Sequence, residues 1–84
     1  MDAKVAFTRS AGTFFILKKW EKASTEYEKI IELYGDDPMI YEQLFICYNN
    51  LRDPRAKSTL EKAIKFTTKP EKLALLKEKL NQFK

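Results

Sequence analysis

Apolar residues recur at three- and four-residue steps along most of the chain, the spacing that lines one face of an α-helix. No run alternates in the way that reads as a half-buried strand. Two segments interrupt the helical rhythm sharply. Gly35-Asp36-Asp37-Pro38 combines a helix-ending glycine, an aspartate able to cap the next helix and a proline suited to its first turn. Thr67-Thr68-Lys69-Pro70-Glu71 repeats the device, with a threonine as the expected N-cap. Softer breaks fall at Leu17 to Trp20 and at Arg52-Asp53-Pro54, where Asp53 is placed to cap and Pro54 to take the first helical position.

These breaks predict five helices, over about residues 3–17, 20–34, 38–51, 54–66 and 70–83. The second places Trp20, Ala23, Tyr27, Ile30, Ile31 and Tyr34 at mostly helical steps. The third carries Tyr41, Leu44, Phe45 and Tyr48 on one face, and the fourth carries Ala56, Leu60, Ala63, Ile64 and Phe66. The fifth has only a narrow stripe, Leu73, Leu76, Leu80 and Phe83, which suits a helix lying on a groove at one end of a stack. Short connections make neighbouring helices antiparallel. The expected fold is therefore all-α, with two antiparallel helical hairpins and a C-terminal capping helix.

The chain also resembles itself. Lys22-Ala23-Ser24-Thr25-Glu26-Tyr27-Glu28-Lys29-Ile30-Ile31 aligns with Arg55-Ala56-Lys57-Ser58-Thr59-Leu60-Glu61-Lys62-Ala63-Ile64 at an offset of 33 residues. A period near this length, with two helices per unit, marks a helical-hairpin array. The pattern resembles the tetratricopeptide repeat, whose signature runs W-x2-L-G-x2-Y, then A-x3-F, then P. The third helix supplies Tyr41-x2-Leu44-Phe45-x2-Tyr48, the second Ala23-x3-Tyr27 and the fourth Ala56-x3-Leu60. The first helix gives a weaker Phe7-x2-Ser10-Ala11-x2-Phe14. A small residue lets two helices cross closely, and a bulky one fills the next gap.

The resemblance implies one domain over residues 1–84, with repeats at about 4–36 and 37–69 and a cap at about 70–83, forming a short right-handed α-solenoid. Three features depart from the family pattern. Phe45 stands where a small residue is usual, which should push the hairpin apart or turn the ring toward the next element. Gly35 replaces the usual proline, and the turn between the third and fourth helices is one residue short. The half-a-tetratricopeptide family of RNA-processing complexes is a neighbouring resemblance, through Ala56-Lys57 and Leu60-Glu61-Lys62. An unrelated five-helix bundle would share the same periodicity.

Eighty-four residues, 44% of them apolar, suit a single domain with a thin core. No apolar run approaches the length needed to cross a bilayer. A lone thiol, Cys47, cannot form an internal disulfide, so a reducing, cytoplasmic setting is the simpler expectation. The segment Ala3 to Trp20 lacks the apolar core of a secretory signal, and Asp2 argues against a mitochondrial presequence. The net charge of +4 is uneven. Residues 1–50 hold six basic and eight acidic side chains, and residues 51–84 hold ten basic and four acidic. The C-terminal half therefore favours acidic partners.

Nothing points to catalysis, a metal or a cofactor. There is no histidine, so the commonest general base and zinc ligand are both missing. Cys47 lies in the apolar run Leu44 to Tyr48 and reads as a small core residue. Asp36-Asp37 reads as a helix cap, because no further ligands follow at a useful spacing. Gly12 and Gly35 are the only glycines, so there is no glycine-rich phosphate loop.

What the chain binds is then the question. In tetratricopeptide arrays the first helix of each hairpin lines a concave groove. The resemblance places that groove on Val5, Thr8, Gly12, Phe15 and Ile16, and on Met39, Glu42, Gln43, Ile46, Asn49 and Asn50. A largely apolar groove with an amide patch suits an extended peptide or an amphipathic helix. A second copy of the chain or the protein's own termini could also cover it. Family members that grip chaperone tails use Lys and Asn on the first helix, Asn on the third, and Lys and Arg on the fifth. The matching positions here are Thr8, Gly12, Gln43, Lys72 and Leu76, so the resemblance implies no such carboxylate clamp. The alternative partner is RNA, through phosphate contacts from Lys57, Lys62, Lys65, Lys69 and Lys72, with Phe66 and Phe83 as candidate stacking rings. Lysines at this density also commonly form a plain solvated face.

Overall fold

A computed structural model describes residues 2–83. The fold is all-α. In chain order the helices are α1 (Ala3–Ile16), α2 (Trp20–Tyr34), α3 (Pro38–Asn50), α4 (Arg55–Phe66) and α5 (Pro70–Asn81), with no strand among the described residues. No helix among the described residues is long and apolar enough to cross a membrane.

Aspartates start three of the five helices in the same way. Asp2 accepts from the Lys4 backbone N–H at 3.0 Å, Asp37 from Met39 at 3.0 Å and Asp53 from Arg55 at 2.9 Å. Pro54 already has helical backbone angles, φ −62° and ψ −17°. The threonine cap expected for α5 does not form. Pro70 takes the first helical position, which makes Lys69 the cap residue, and its ammonium cannot accept a hydrogen bond.

The two turns within the hairpins are copies of each other. Leu17, Lys18 and Lys19 donate to the carbonyls of Thr13, Phe15 and Phe14 at 3.1, 3.0 and 2.8 Å. The same ladder recurs 34 residues on, where Leu51, Arg52 and Asp53 donate to Cys47, Asn49 and Tyr48 at 3.0, 3.2 and 2.8 Å. In each turn the middle residue takes the left-handed conformation, with φ 59° at Lys18 and 55° at Arg52. The turns repeat at 34 residues, whereas Ala23 and Ala56 repeat at 33, so the one-residue deletion falls just after the second turn.

Packing joins consecutive helices, and α3 lies at the centre. It buries Ile40, Tyr41, Leu44, Phe45, Cys47 and Tyr48, whereas α1 buries only Ala11. Ala23 and Ala63 are fully buried and leave room for neighbouring helices to come close. Phe15 meets Trp20 and Tyr27 edge-on across the first hairpin, at centroid distances of 5.2 and 6.5 Å. Tyr41 stacks on Phe66 across the second hairpin at 5.8 Å. The Phe45 ring is buried and turns to the chain after α5, where it meets Phe83 at 5.9 Å. The bulky residue thus ties the cap to the second hairpin.

Two ion pairs show how the beginnings of the odd-numbered helices line up. Lys4 near the start of α1 meets Asp37 at the start of α3, at 3.2 Å. Glu42 in α3 meets Lys72 near the start of α5, at 3.1 Å. The beginnings of α1, α3 and α5 therefore lie at one end of the molecule, side by side.

Candidate partner-binding groove

The alignment of α1, α3 and α5 determines which side chains can form a common surface. On α1, Val5 and Ile16 are exposed; on α3, so is Met39, at 56%. Gly12 leaves the strip between them open, with no heavy atom within 4 Å of where a Cβ would stand. Ile46 and Gln43 are half-buried. Thr8 is also half-buried and turns its hydroxyl back to the Lys4 carbonyl at 2.7 Å. Asn49 and Asn50 are exposed at the end of α3, and the Asn50 amide donates to the Ile46 carbonyl at 2.8 Å. Phe15 differs from its neighbours in this set. Its ring packs on Trp20 and Tyr27, which leaves Ile16 as the apolar group at that end of α1.

The surface continues onto α5, which sequence reasoning read only as a cap. Two shallow clefts open along the seam between α3 and α5. One, of about 310 Å³, is lined by Met39, Glu42, Thr67, Lys69 and Lys72, among others. The other, of about 320 Å³, is lined by Phe45, Asn49, Lys79, Gln82 and Phe83. Leu75 stands out from α5 at 57% exposure. The signal for it was weak, because Leu75 lies off the Leu73–Leu76–Leu80–Phe83 stripe and its outward position depends on how α5 is rotated.

The five lysines proposed to meet phosphate or acidic groups do not form one site. All are exposed. Lys69 and Lys72 belong to the α3–α5 seam, and Lys72 is bound to Glu42. Lys57, Lys62 and Lys65 lie on α4. The ammonium of Lys62 sits 5.8 Å over the Tyr41 ring, and that of Lys65 sits 5.5 Å over the Phe66 ring. Both candidate stacking rings are engaged internally, Phe66 by Tyr41 and Phe83 by Phe45.

The most developed polar network joins the two hairpins. Glu28 of α2 accepts from the Tyr48 hydroxyl and from Arg55 at 2.8 Å. Arg55 also makes a two-pronged contact to Asp53, at 3.1 and 2.9 Å, and its guanidinium covers the Tyr48 ring at 4.4 Å. Hydrogen bonds from Arg55 hold the Asp53 carboxyl below the usual range. Burial, and then the bond to Glu28, push the Tyr48 hydroxyl up. Burial, and then the bond to Asp36, push Tyr41 up to about 12. This network holds α2, α3 and α4 together.

Cys47 is fully buried, and burial pushes its thiol up to about 11, the opposite of an activated nucleophile. Among the described residues, no three potential metal ligands come together. No buried side-chain polar atom among them lacks a hydrogen-bond partner. No protein-family model matches the chain, and no curated protein or solved structure matches it significantly.

Proposed function

We propose that this chain is a tetratricopeptide-like, non-catalytic interaction module that holds an extended peptide or an amphipathic helix along α1, α3 and α5. One observation carries the reading: ion pairs tie the first turns of α1, α3 and α5 together, and Val5, Ile16, Met39 and Leu75 are exposed on these helices. Large apolar side chains left outside on neighbouring helices form the kind of surface that a peptide or helix covers. The copied hairpin turns support the repeat architecture. The half-a-tetratricopeptide reading, with RNA on the basic half, is less well supported, because Phe66 is already stacked on Tyr41 and Phe83 meets Phe45 edge-on.

Selection of peptides from a displayed random library against the intact chain tests the proposal. The expected binders carry two or more apolar anchors and lose affinity for Met39→Glu and Ile46→Glu. A library that yields no binders, or binders indifferent to both changes, would refute the groove. Binding of a generic RNA at low salt that survives these changes but is lost on Lys62→Glu and Lys65→Glu would favour the second reading.

A further inference from the structure

The junction between the hairpins shows what covers an aromatic–cation layer in this fold. Tyr41, Leu44 and Tyr48 floor a cleft, Arg55 and Lys62 wall it on one side, and α2 closes the other side with Glu28 and Ile31. With α2 in place, Tyr41 and Tyr48 are only 5% and 3% exposed.

The same layer exists one repeat earlier without its outer wall. Phe7 and Phe14 stand 34 residues before Tyr41 and Tyr48, and Lys22 stands 33 before Arg55. Lys22 reaches over the Phe14 ring at 5.8 Å, as Arg55 does over Tyr48. Phe14, Glu21, Lys22, Thr25 and Glu26 line an open depression of about 420 Å³. Phe7 and Phe14 are half-buried where their counterparts are buried. Along α1, Ala6, Ser10 and Thr13 are exposed, whereas Ile40, Leu44 and Cys47, each 34 residues on, are buried. Side chains this small let another helix approach closely.

We propose that this face of α1 and α2 docks an α-helix of another protein that carries a carboxylate and, three residues later, an aliphatic side chain. Glu28 and Ile31 of α2 are the template, because they perform that task for the second hairpin. The carboxylate meets Lys22, and the aliphatic group covers Phe14. Glu21 and Glu26 flank Lys22 in the lining, so the net local field does not draw a carboxylate in and the contact to Lys22 has to be direct. Apolar cover supplies most of the affinity, and the carboxylate sets the register. A second copy of this chain does not fit the role. Its other acid–x–x–aliphatic pairs are Asp2–Val5 and Asp37–Ile40, whose carboxylates cap α1 and α3, and Glu61–Ile64 on α4, against which α5 already packs.

A fluorescent, helix-stapled peptide with the sequence of residues 20–34 is the probe, titrated with the intact chain and followed by anisotropy. Saturable binding is expected. It is abolished by Ser10→Arg and unchanged by Met39→Glu. Glu28→Lys in the peptide weakens it about twofold to fivefold, the scale of an exposed ion pair, and Lys22→Glu in the protein restores it. No saturation by about 1 mM would overturn the proposal. So would indifference to Ser10→Arg, or loss on Met39→Glu, which would move the peptide to the groove. Affinity unchanged by Glu28→Lys would overturn the carboxylate requirement.

Discussion

Truncating Leu76 to alanine is expected to undock α5 before the rest of the domain unfolds. Leu76 is the one buried residue of α5, at 2% exposure. Full burial of a leucine contributes about 1.5–3 kcal/mol, and a rigid cavity can raise the cost of its removal to about 5 kcal/mol. The end position of α5 lets neighbours settle into the space, which puts the loss at about 2–3 kcal/mol. The remaining attachments are modest. Phe83 on Phe45 adds an aromatic contact, and the Lys72–Glu42 pair, with the lysine side chain 47% exposed, adds under about 1 kcal/mol. A domain of this size has a total stability of only about 4–13 kcal/mol. Denaturant unfolding should show the loss, and hydrogen exchange should show where it falls. Amides of Leu76 to Leu80 should lose protection while those of α3 keep most of theirs. Leu75→Ala, at an exposed neighbouring position, should stay within about 0.5 kcal/mol of the parent. A Leu76→Ala loss below about 1 kcal/mol, or protection lost equally in all helices, would refute the idea that one leucine docks the cap.

Other expectations follow from single features. Lys18→Gly and Arg52→Gly should each stabilise the fold by up to about 1 kcal/mol in thermal unfolding, because both residues hold a left-handed backbone that glycine adopts without strain. Gly35→Ala should destabilise by about 1 kcal/mol for the converse reason: φ is +90° there, although a Cβ would meet no atom within 4 Å. Alkaline pH should weaken the fold. Cys47 and Tyr41 lose their protons in the unfolded chain near 9 and 10 but hold them to about 11 and 12 when folded, so stability falls as pH rises through that window. A urea midpoint that stays flat from pH 8 to about 12 would contradict this. The Cys47 thiol should resist an aromatic disulfide reagent at pH 8 and react once denaturant is added.

The helices were legible in the sequence because their signals are local. Gly35-Asp36-Asp37-Pro38 stops one helix and starts the next with residues whose backbone preferences leave little choice. The ends were set a residue or two long, at Leu17, Leu51 and Phe83, because the last turn is closed by backbone geometry rather than by residue type. The left-handed positions at Lys18 and Arg52 carry no glycine and so left no trace. The missing cap of α5 had a trace, Pro70, which outranks the nearby threonines. The sites were less legible because they depend on how helices are rotated against one another. Phe15 and Ile16 are adjacent in sequence, yet one ring goes into the hairpin and the other side chain goes out. The Glu28–Tyr48–Arg55 network joins three helices, and neither spacing nor composition brings those residues together.

The proposed groove would place a partner along α1, α3 and α5. A library-selected peptide titrated into the isotope-labelled chain, followed residue by residue by NMR, tests it most directly. Saturable shifts centred on Val5, Gly12, Met39, Ile46 and Leu75 are expected, with the chain a 9.9 kDa monomer throughout. Shifts centred on Lys57, Lys62 and Lys65, or a groove already closed by a second copy of the chain, would contradict it.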